Sequence, residues 1–139
     1  MIHTDSSYLI DLLREQARGK GGRASAFLEA HAADELVASV FVVCELEAGA
    51  ALAPAPDREQ ARLQAVFQVL TVVYPDERFA PAYGDALATL HRARKTVHTV
   101  DLLIATSAVV DDAVLVTANR KHFDMVPGLR VLGYRDNAD

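Results

Sequence analysis

The sequence predicts an α/β fold of three layers, in which a central parallel sheet carries helices on both faces. Short runs of β-branched and other apolar residues alternate with longer segments of helical periodicity, a pattern typical of βαβ units. The chain has 139 residues, 51% of them hydrophobic, which suffices for a buried core and excludes a disordered chain. We therefore expect a single domain over residues 1–139, whose last few residues form a flexible tail.

Each predicted strand is a short run rich in β-branched or aliphatic residues and bounded by polar or turn-forming residues. The five strands are expected at Ile2–Thr4, Leu36–Ala38, Val69–Tyr74, Val114–Thr117 and Arg130–Leu132. The segments between them space their apolar residues as helices do, and helices are expected at Ser7–Glu15, Arg23–Ala32, Val40–Leu52, Arg58–Phe67, Glu77–Arg92 and Val100–Asp111. The fifth helix has the clearest apolar stripe: Phe79, Tyr83, Leu87 and Leu90.

Several features of the sequence point to the cytoplasm. No apolar stretch approaches the roughly 20 residues that a membrane-spanning helix needs, so no membrane association is expected. The first residues show neither the basic nor the apolar segment of a secretory signal. The single cysteine, Cys44, has no partner for an internal disulfide, and we expect it to be a small core residue.

Basic residues are clustered along the chain, although the net charge is -5. Local clusters of Arg and Lys attract phosphate groups even in an acidic protein, so they are candidate contacts for a nucleic acid. For each cluster taken alone, a solvated surface is an equally good explanation. The candidate residues are Arg18, Lys20, Arg23, Arg94, Lys95, Arg120 and Lys121.

Three acidic residues stand where a carboxylate is unfavourable unless it is paired. Asp5 ends the first strand, Glu45 interrupts an apolar helix, and Asp101 opens the last long helix. The carboxyl ends of parallel strands meet at one edge of a sheet, so Asp5, Glu45 and also Asn119 are expected there. Asp101 joins them only if the helix before its own carries the chain back to that edge.

Each acid also has an ordinary structural explanation. Asp5 could cap the first helix, and Asp101 could favour the positive end of a helix capped by Thr99. Glu45 could be a solvated surface residue. Against this, its neighbours at helical spacing predict a side of the helix that faces inward: Phe41, Ala48, Gly49 and Leu52.

Converging carboxylates predict a metal-dependent phosphodiesterase site. Two unit charges about 4 Å apart repel by roughly 4 kcal/mol at an effective dielectric constant of about 20, and a divalent cation reverses that effect. Hard carboxylate oxygens suit Mg²⁺, for which Mn²⁺ can substitute, and such an ion activates water for attack on a phosphodiester. Asp5 and Asp101 are the expected direct ligands, with Glu45 acting through a metal-bound water or at a second ion. Three further residues are expected to supply hydrogen bonds: Ser6, Thr117 and Asn119.

Four segments, in order, carry the motifs of one known enzyme family. An aspartate that follows a strand and precedes a serine and an apolar helix opens Asp5–Leu13, and a Glu-Leu pair followed closely by Gly-Ala occupies Glu45–Ala50. An Asp-x-x-Ile-Ala run opens Asp101–Thr106, and the closing strand and loop occupy Leu115–Phe123. Over nearly its full length the chain therefore resembles the PIN-domain nucleases, and most closely the VapC-type toxin ribonucleases of type II toxin–antitoxin systems.

This resemblance implies a PIN-like sheet in the order 3-2-1-4-5 and endonucleolytic cleavage of RNA that depends on Mg²⁺ or Mn²⁺. The implied catalytic residues are Asp5, Glu45, Asp101 and Asn119. The resemblance also implies a homodimer and a cognate VapB-type antitoxin that docks a C-terminal peptide along a helical groove near the site. Many members have a further aspartate at the position of Asn119, and Asp124 is the nearest acid that could replace it, although a surface role is favoured.

Two other functions compete with a toxin ribonuclease. A catalytically weak or inactive PIN-like RNA-binding module would fit the acidic net charge and the neutral amide of Asn119. A phospho-receiver-like regulatory domain requires a second acid beside Asp5, where the sequence has Ser6 and Ser7 instead.

Overall fold

A sheet of five parallel strands forms the centre of the structure, a computed structural model that describes residues 1–135. The strands are β1 (Ile2–Thr4), β2 (Leu36–Ser39), β3 (Thr71–Val73), β4 (Val114–Thr117) and β5 (Arg130–Gly133). Their spatial order, β3-β2-β1-β4-β5, confirms the predicted order 3-2-1-4-5. β1 pairs with both β2 and β4, and all its residues are buried. The predicted flexible tail falls on residues 136–139, outside the described residues.

Helices connect the strands on both faces of the sheet, as predicted. Within residues 1–135 they are α1 (Ser6–Arg18), α2 (Arg23–Ala30), α3 (Val40–Leu52), α4 (Pro56–Phe67), α5 (Phe79–Arg92), α6 (Thr99–Val110) and α7 (Arg120–Phe123). The strand order reverses direction after β3, so right-handed crossovers place the earlier helices on one face and the later ones on the other. Accordingly α1 packs against α2, α3 and α4, while α5 packs against α6. No helix in this part of the chain is long and apolar enough to cross a membrane.

Most elements begin and end within a few residues of their predicted bounds, with two larger differences. The helix α7 is absent from the sequence prediction, because four residues are too few to show helical periodicity. β3 is shorter than predicted: Val69 and Tyr74 lie outside it and are 61% and 72% exposed. As one of the two edge strands, β3 pairs only with β2, and that pairing covers three residues.

The α5–α6 hairpin brings the chain back to the carboxyl edge of the sheet. α6 ends at Val110 and β4 begins at Val114, so the end of α6 lies at the amino edge. Arg78, directly before α5, donates a hydrogen bond to the carbonyl oxygen of Val110 at 3.4 Å. The start of α5 therefore lies beside the end of α6, and the two helices are antiparallel. At 1.5 Å per residue α6 is roughly 18 Å long, so its first turn, with Asp101, lies at the carboxyl edge.

The helix α3 is apolar on nearly all sides, yet part of it lies on the surface. Its buried residues are Val42, Leu46 and Ala50. Cys44 is exposed, so the prediction that it is a core residue is wrong. The apolar run that contains it has no polar residues to indicate which side of the helix faces the core.

The carboxylate of Glu15 holds the start of α2. Glu15 is 6% exposed and accepts hydrogen bonds from the backbone N–H groups of Gly22, Ala24 and Ser25, at 2.6, 3.0 and 2.9 Å. A Cβ atom at position 22 would lie 2.8 Å from the Glu15 carboxyl carbon, so any other residue there would force the carboxylate to shift. Burial alone would raise the pKa of Glu15, but the hydrogen bonds outweigh burial and lower the pKa.

We expect Glu15→Ala to reduce the free energy of unfolding by about 2 kcal/mol at neutral pH, because three N–H groups lose a charged acceptor. A depressed folded-state pKa contributes stability that is present above the ordinary value of 4.5 and lost as the pH falls through the folded pKa. Urea unfolding at neutral pH and below 4.5 should therefore show the difference shrinking in acid. Glu29→Ala, at an exposed position of α2, is the matched control and should change little. Equal losses in the two variants would contradict the role of Glu15.

Candidate active site

Asp5 is the most enclosed of the predicted acids, with 4% of its surface exposed. It follows β1 directly and caps α1, because its Oδ1 accepts a hydrogen bond from the Tyr8 N–H at 2.9 Å. Ser7 Oγ donates to the carboxylate, 2.7 Å from Oδ1 and 2.9 Å from Oδ2, and Thr117 Oγ1 donates to Oδ2 at 2.5 Å. The capping explanation is therefore correct, but it accounts for only one of the hydrogen bonds that Asp5 accepts.

The same hydroxyls join the carboxyl ends of β1 and β4. Ser7 Oγ accepts a hydrogen bond from the Ala118 N–H at 3.0 Å, and Thr117 Oγ1 accepts one from the Asn119 N–H at 2.9 Å. Thr117 thus has the position expected of it. Ser7 is a residue that sequence analysis missed, although the two consecutive serines after Asp5 indicate that one of them could reach the carboxylate.

The surroundings of Asp5 oppose its ionisation. Removal from water raises the pKa of the carboxyl, hydrogen bonds from Thr117, Tyr8 and Ser7 lower it, and the negative charge of Asp101 raises it further. The net shift of the pKa is upward. The carboxylates of Asp5 and Asp101 are therefore close enough to repel each other in a poorly hydrated region.

Asp101 reaches the same edge from the first turn of α6. Its Oδ2 lies 3.8 Å from Nδ1 of His122, which belongs to α7 just past the end of β4. The N-cap of α6 is His98 rather than the predicted Thr99, which is the first residue inside the helix. The geometric condition on which Asp101 depended, a hairpin that returns to this edge, is met.

Glu45 also contacts this edge, although the side of α3 on which it lies does not face inward as its helical neighbours predicted. Its Oε1 accepts a hydrogen bond from Ser6 Oγ at 2.5 Å, and Ser6 is the first residue of α1, next to Asp5. The predicted inward face is wrong: Gly49 is exposed and Leu52 is 87% exposed. Glu45 therefore approaches the site along the surface of α3, with Ser6 as its contact.

The fourth position of the family pattern is occupied by an exposed amide. Asn119 lies past the carboxyl end of β4 and is the N-cap residue of α7. Its side chain makes no capping hydrogen bond to that helix. Asp124 lies at the other end of α7 and faces a surface depression with Lys95 and Lys121. It does not replace Asn119 beside the other acids.

The acids form an open rim that suits a hard divalent cation. Within residues 1–135, no three His, Cys, Asp or Glu side chains are grouped closely enough to enclose an ion without rearrangement. The donors available, carboxylates of Asp5, Asp101 and Glu45, are nevertheless of the type that Mg²⁺ and Mn²⁺ prefer. The repulsion between Asp5 and Asp101 is a further reason why a cation fits here, since its charge would compensate both carboxylates.

The structure divides the predicted nucleic-acid contacts into two groups. Arg94 and Lys95, in the α5–α6 loop, and the α7 residues Arg120 and Lys121 lie at the carboxyl edge with the acids. The other three lie at the far end of α1, roughly 18 Å along the helix from Ser6. Those three, Arg18, Lys20 and Arg23, are therefore separated from Asp5 and Asp101.

A groove of about 520 Å³ lies between α1, α3 and α4, and Glu45 forms part of its lining. Its apolar lining consists of Ile10, Leu13, Ala17, Leu46, Ala50 and Leu63. Its other charged residues are Arg14, Arg18, Glu59 and Arg62. The groove thus combines an apolar surface with positive charge and shares one acid with the candidate active site.

The chain is similar to known proteins over most of its length. A family model described as "PIN domain" matches residues 2–129. Ribonuclease VapC19 of Mycobacterium tuberculosis is 34% identical over 97 residues, which are 70% of this chain and 74% of that relative. Ribonuclease VapC1 of Haemophilus influenzae is 28% identical over 126 residues, covering 91% of this chain and 92% of the relative.

A solved structure has the same fold. The crystal structure of VapBC2 from Rickettsia felis, bound to a DNA fragment from their promoter, contains a chain that superposes with a TM-score of 0.88. The two chains are 23% identical, and the match covers 96% of this chain and 99% of the other. At that identity the likeness concerns the fold alone.

We expect Asp5→Asn to raise the melting temperature at neutral pH, measured by thermal unfolding without divalent cations. A folded-state pKa above the unfolded value means that ionisation of the buried carboxyl destabilises the fold once the pH exceeds both values. Asparagine keeps an acceptor for the Tyr8 N–H without the charge, so the gain should be a few degrees at about pH 7 and should vanish toward 3.8. Asp85→Asn, at an exposed carboxyl on α5, should show no such gain. A lower melting temperature for Asp5→Asn at neutral pH would contradict this account.

Proposed function

The chain belongs to the PIN-domain family, and from that premise we propose that it is a metal-dependent endoribonuclease, the toxin of a VapBC-type toxin–antitoxin module. The observation that carries the proposal is the convergence of Asp5, Asp101 and Glu45 on one edge of the sheet, where the first two repel each other. The matched relatives named ribonucleases support RNA as the substrate.

In this proposal Asp5 and Asp101 would hold Mg²⁺ directly, and Mn²⁺ could take its place. Glu45 would act through a water on the ion or complete a second ion site when substrate is present. An ion held by these residues would supply an activated water as the nucleophile and neutralise charge on the phosphoryl oxygens. The neutral Asn119 disfavours a permanently occupied second site, because an amide offers an ion no negative charge.

The polar residues around the acids orient them for this task. Ser7 and Thr117 hold both oxygens of the Asp5 carboxylate in place, and Ser6 holds Glu45. The exposed Asn119 amide can donate a hydrogen bond to a phosphate or ribose oxygen of the substrate. The four basic residues at this edge, Arg94, Lys95, Arg120 and Lys121, attract the RNA backbone despite the net charge of -5.

We expect Asp5→Asn and Asp101→Asn each to reduce RNA cleavage and toxicity by at least about a hundredfold, because each removes a metal ligand while preserving shape. Cleavage of total RNA with and without Mn²⁺, and growth after induced expression, are the measurements. Thermal unfolding provides a second readout: Mn²⁺ should raise the melting temperature of the wild type and not of Asp5→Asn. Asp85→Asn is the control for loss of one carboxylate.

Retained cleavage by either variant would reject the site.

An alternative function, a PIN-like RNA-binding module without turnover, is favoured by Asn119 and by the open arrangement of the acids within residues 1–135. RNA binding by the wild type without any Mn²⁺-stimulated cleavage would support that alternative.

We further propose that the α1–α3–α4 groove receives the C-terminal segment of a VapB-type antitoxin. Its apolar lining suits an amphipathic segment, and Arg14 and Arg18 at its border suit acidic residues flanking that segment. Because Glu45 belongs to the same groove, a bound segment would lie next to the catalytic acids. The matched solved structures of VapBC complexes are consistent with such a partner.

Filling the groove should weaken the antitoxin complex. A Cβ at Gly49 would meet no atom within 4 Å, so Gly49→Leu leaves the fold intact and places a side chain in the groove. We expect the dissociation constant for the cognate antitoxin, measured by calorimetry, to rise at least about tenfold. Gly84→Leu is the matched control, since position 84 on α5 is equally open and lies outside the groove. An unchanged constant for Gly49→Leu would place the antitoxin elsewhere.

A homodimer in the cytoplasm completes the proposal. Apolar side chains that a second copy could cover include Leu52 on α3 and Leu87 on α5, which is 46% exposed. Sedimentation of the purified chain would give its oligomeric state.

A further inference from the structure

A depression of about 570 Å³ lies beside the acid edge, between the α5–α6 loop and α7. Its lining consists of Lys95, Thr96, Lys121, Asp124 and Met125. Lys121 precedes His122, whose ring contacts Asp101, so the depression borders the candidate active site. Its volume is of the size that accommodates a nucleotide.

The charged side chains of this depression make no ion pairs with other described residues of the protein. Within residues 1–135, neither Lys95 nor Lys121 forms an ion pair, and Asp124 also lacks one. By contrast, Arg62 and Arg78 lie 2.8 Å from carboxylates of their own surface. Cations that stay unpaired beside an acidic site are available to an anionic ligand.

The backbone that presents Lys95 adopts an unfavourable conformation. Arg94 has a φ of 56°, in the left-handed region that side chains with a Cβ disfavour. This residue turns the chain at the end of α5, and the Lys95 N–H donates to the Leu90 carbonyl oxygen at 2.9 Å. This arrangement is a left-handed cap that ends α5, and it fixes the backbone of Lys95 beside the depression.

We propose that this depression is a subsite for one nucleotide of single-stranded RNA next to the scissile phosphate. Lys95 and Lys121 hold a phosphate of that nucleotide. Met125 contacts the apolar face of its base or sugar, and Thr96 and Asp124 accept hydrogen bonds from its hydroxyl or amino groups. The inference rests on the proposed ribonuclease function and adds to it the place where the substrate is held and read.

RNA fits this lining better than an acidic protein segment does. Two lysines beside an apolar side chain match the combination of phosphate and base, and Asp124 can accept hydrogen bonds from amino or hydroxyl groups of a nucleotide, which a run of carboxylates does not offer. The depression also borders Asp101, so a nucleotide bound there continues toward the catalytic acids.

The test compares two double variants that remove the same amount of positive charge, Lys95→Ala/Lys121→Ala and Lys20→Ala/Arg23→Ala, the second at the far end of α1. Binding of a fluorescein-labelled single-stranded RNA of mixed sequence, about 12 nucleotides long, is measured by anisotropy in EDTA across a range of salt concentrations. For the first variant we expect the dissociation constant to rise at least about tenfold. The slope of log K against log salt should fall by about 0.7 for each phosphate that the variant no longer binds. The second variant should stay within about twofold of the wild type.

Cleavage of the same RNA with Mn²⁺ separates this inference from the proposed function. We expect the first double variant to raise KM with little change in kcat, since it loses binding and not catalytic groups. Equal behaviour of both double variants, with an active wild type, would overturn the subsite and leave the function intact. An inactive wild type would overturn the proposed function, while the anisotropy data would still decide whether the subsite exists.

Asp124→Ala distinguishes a nucleotide subsite from general attraction to positive charge. Removal of a negative charge should tighten RNA binding if only Coulomb attraction acts, but should weaken it if Asp124 accepts hydrogen bonds from the nucleotide. Tighter binding would therefore overturn the subsite. So would binding of a decaglutamate peptide that depends on Lys95 and Lys121 while RNA binding does not.

Discussion

The enclosure of the Asp5 carboxylate between the ends of β1 and β4 is the interaction on which the site depends. The hydroxyls of Ser7 and Thr117 donate to this carboxylate and accept N–H groups from the strand end at Ala118 and Asn119. One acid thereby joins two strands and the first turn of α1. Its pKa is raised because these hydrogen bonds do not fully replace the lost water and because Asp101 is near. The fold thus maintains an unfavourable charge distribution at this edge, which a bound cation would relieve.

Two different parts of the chain complete the edge around Asp5. The α5–α6 hairpin and α7 supply Asp101 and the neighbouring basic residues, whereas the first residue of α1 and the second turn of α3 supply Ser6 and Glu45. Positive charge is concentrated beside the acids and at the far end of α1, so the net charge of -5 describes neither surface. Local arrangement of charge, rather than its sum, decides what each surface can bind.

The strand order could be predicted from the resemblance to the PIN-domain family, and the meeting of Asp5, Glu45 and Asn119 at one edge from the geometry of parallel sheets. The place of Asp101 depended in addition on the return of the chain through the α5–α6 hairpin. The role of Ser7 could not be predicted, since two adjacent serines are chemically identical. Which of them reaches Asp5 depends on the residue at which α1 begins. The inward face expected around Glu45 was wrong for a similar reason: α3 is apolar on nearly all sides, and periodicity then carries no information about burial. The separation of Arg18 from Asp5 and Asp101 follows from the length of α1, which clustering in sequence does not reveal.

Glu45 belongs both to the edge proposed to bind the ion and to the lining of the groove. A single side chain that takes part in two binding events makes them thermodynamically linked, and such linkage is reciprocal. If a ligand in the groove changes the affinity for the ion by some factor, a bound ion changes the affinity for that ligand by the same factor. Under the proposed function, an inhibitor seated in the groove would silence the nuclease by drawing Glu45 away from the bound ion, leaving the path of the RNA uncovered.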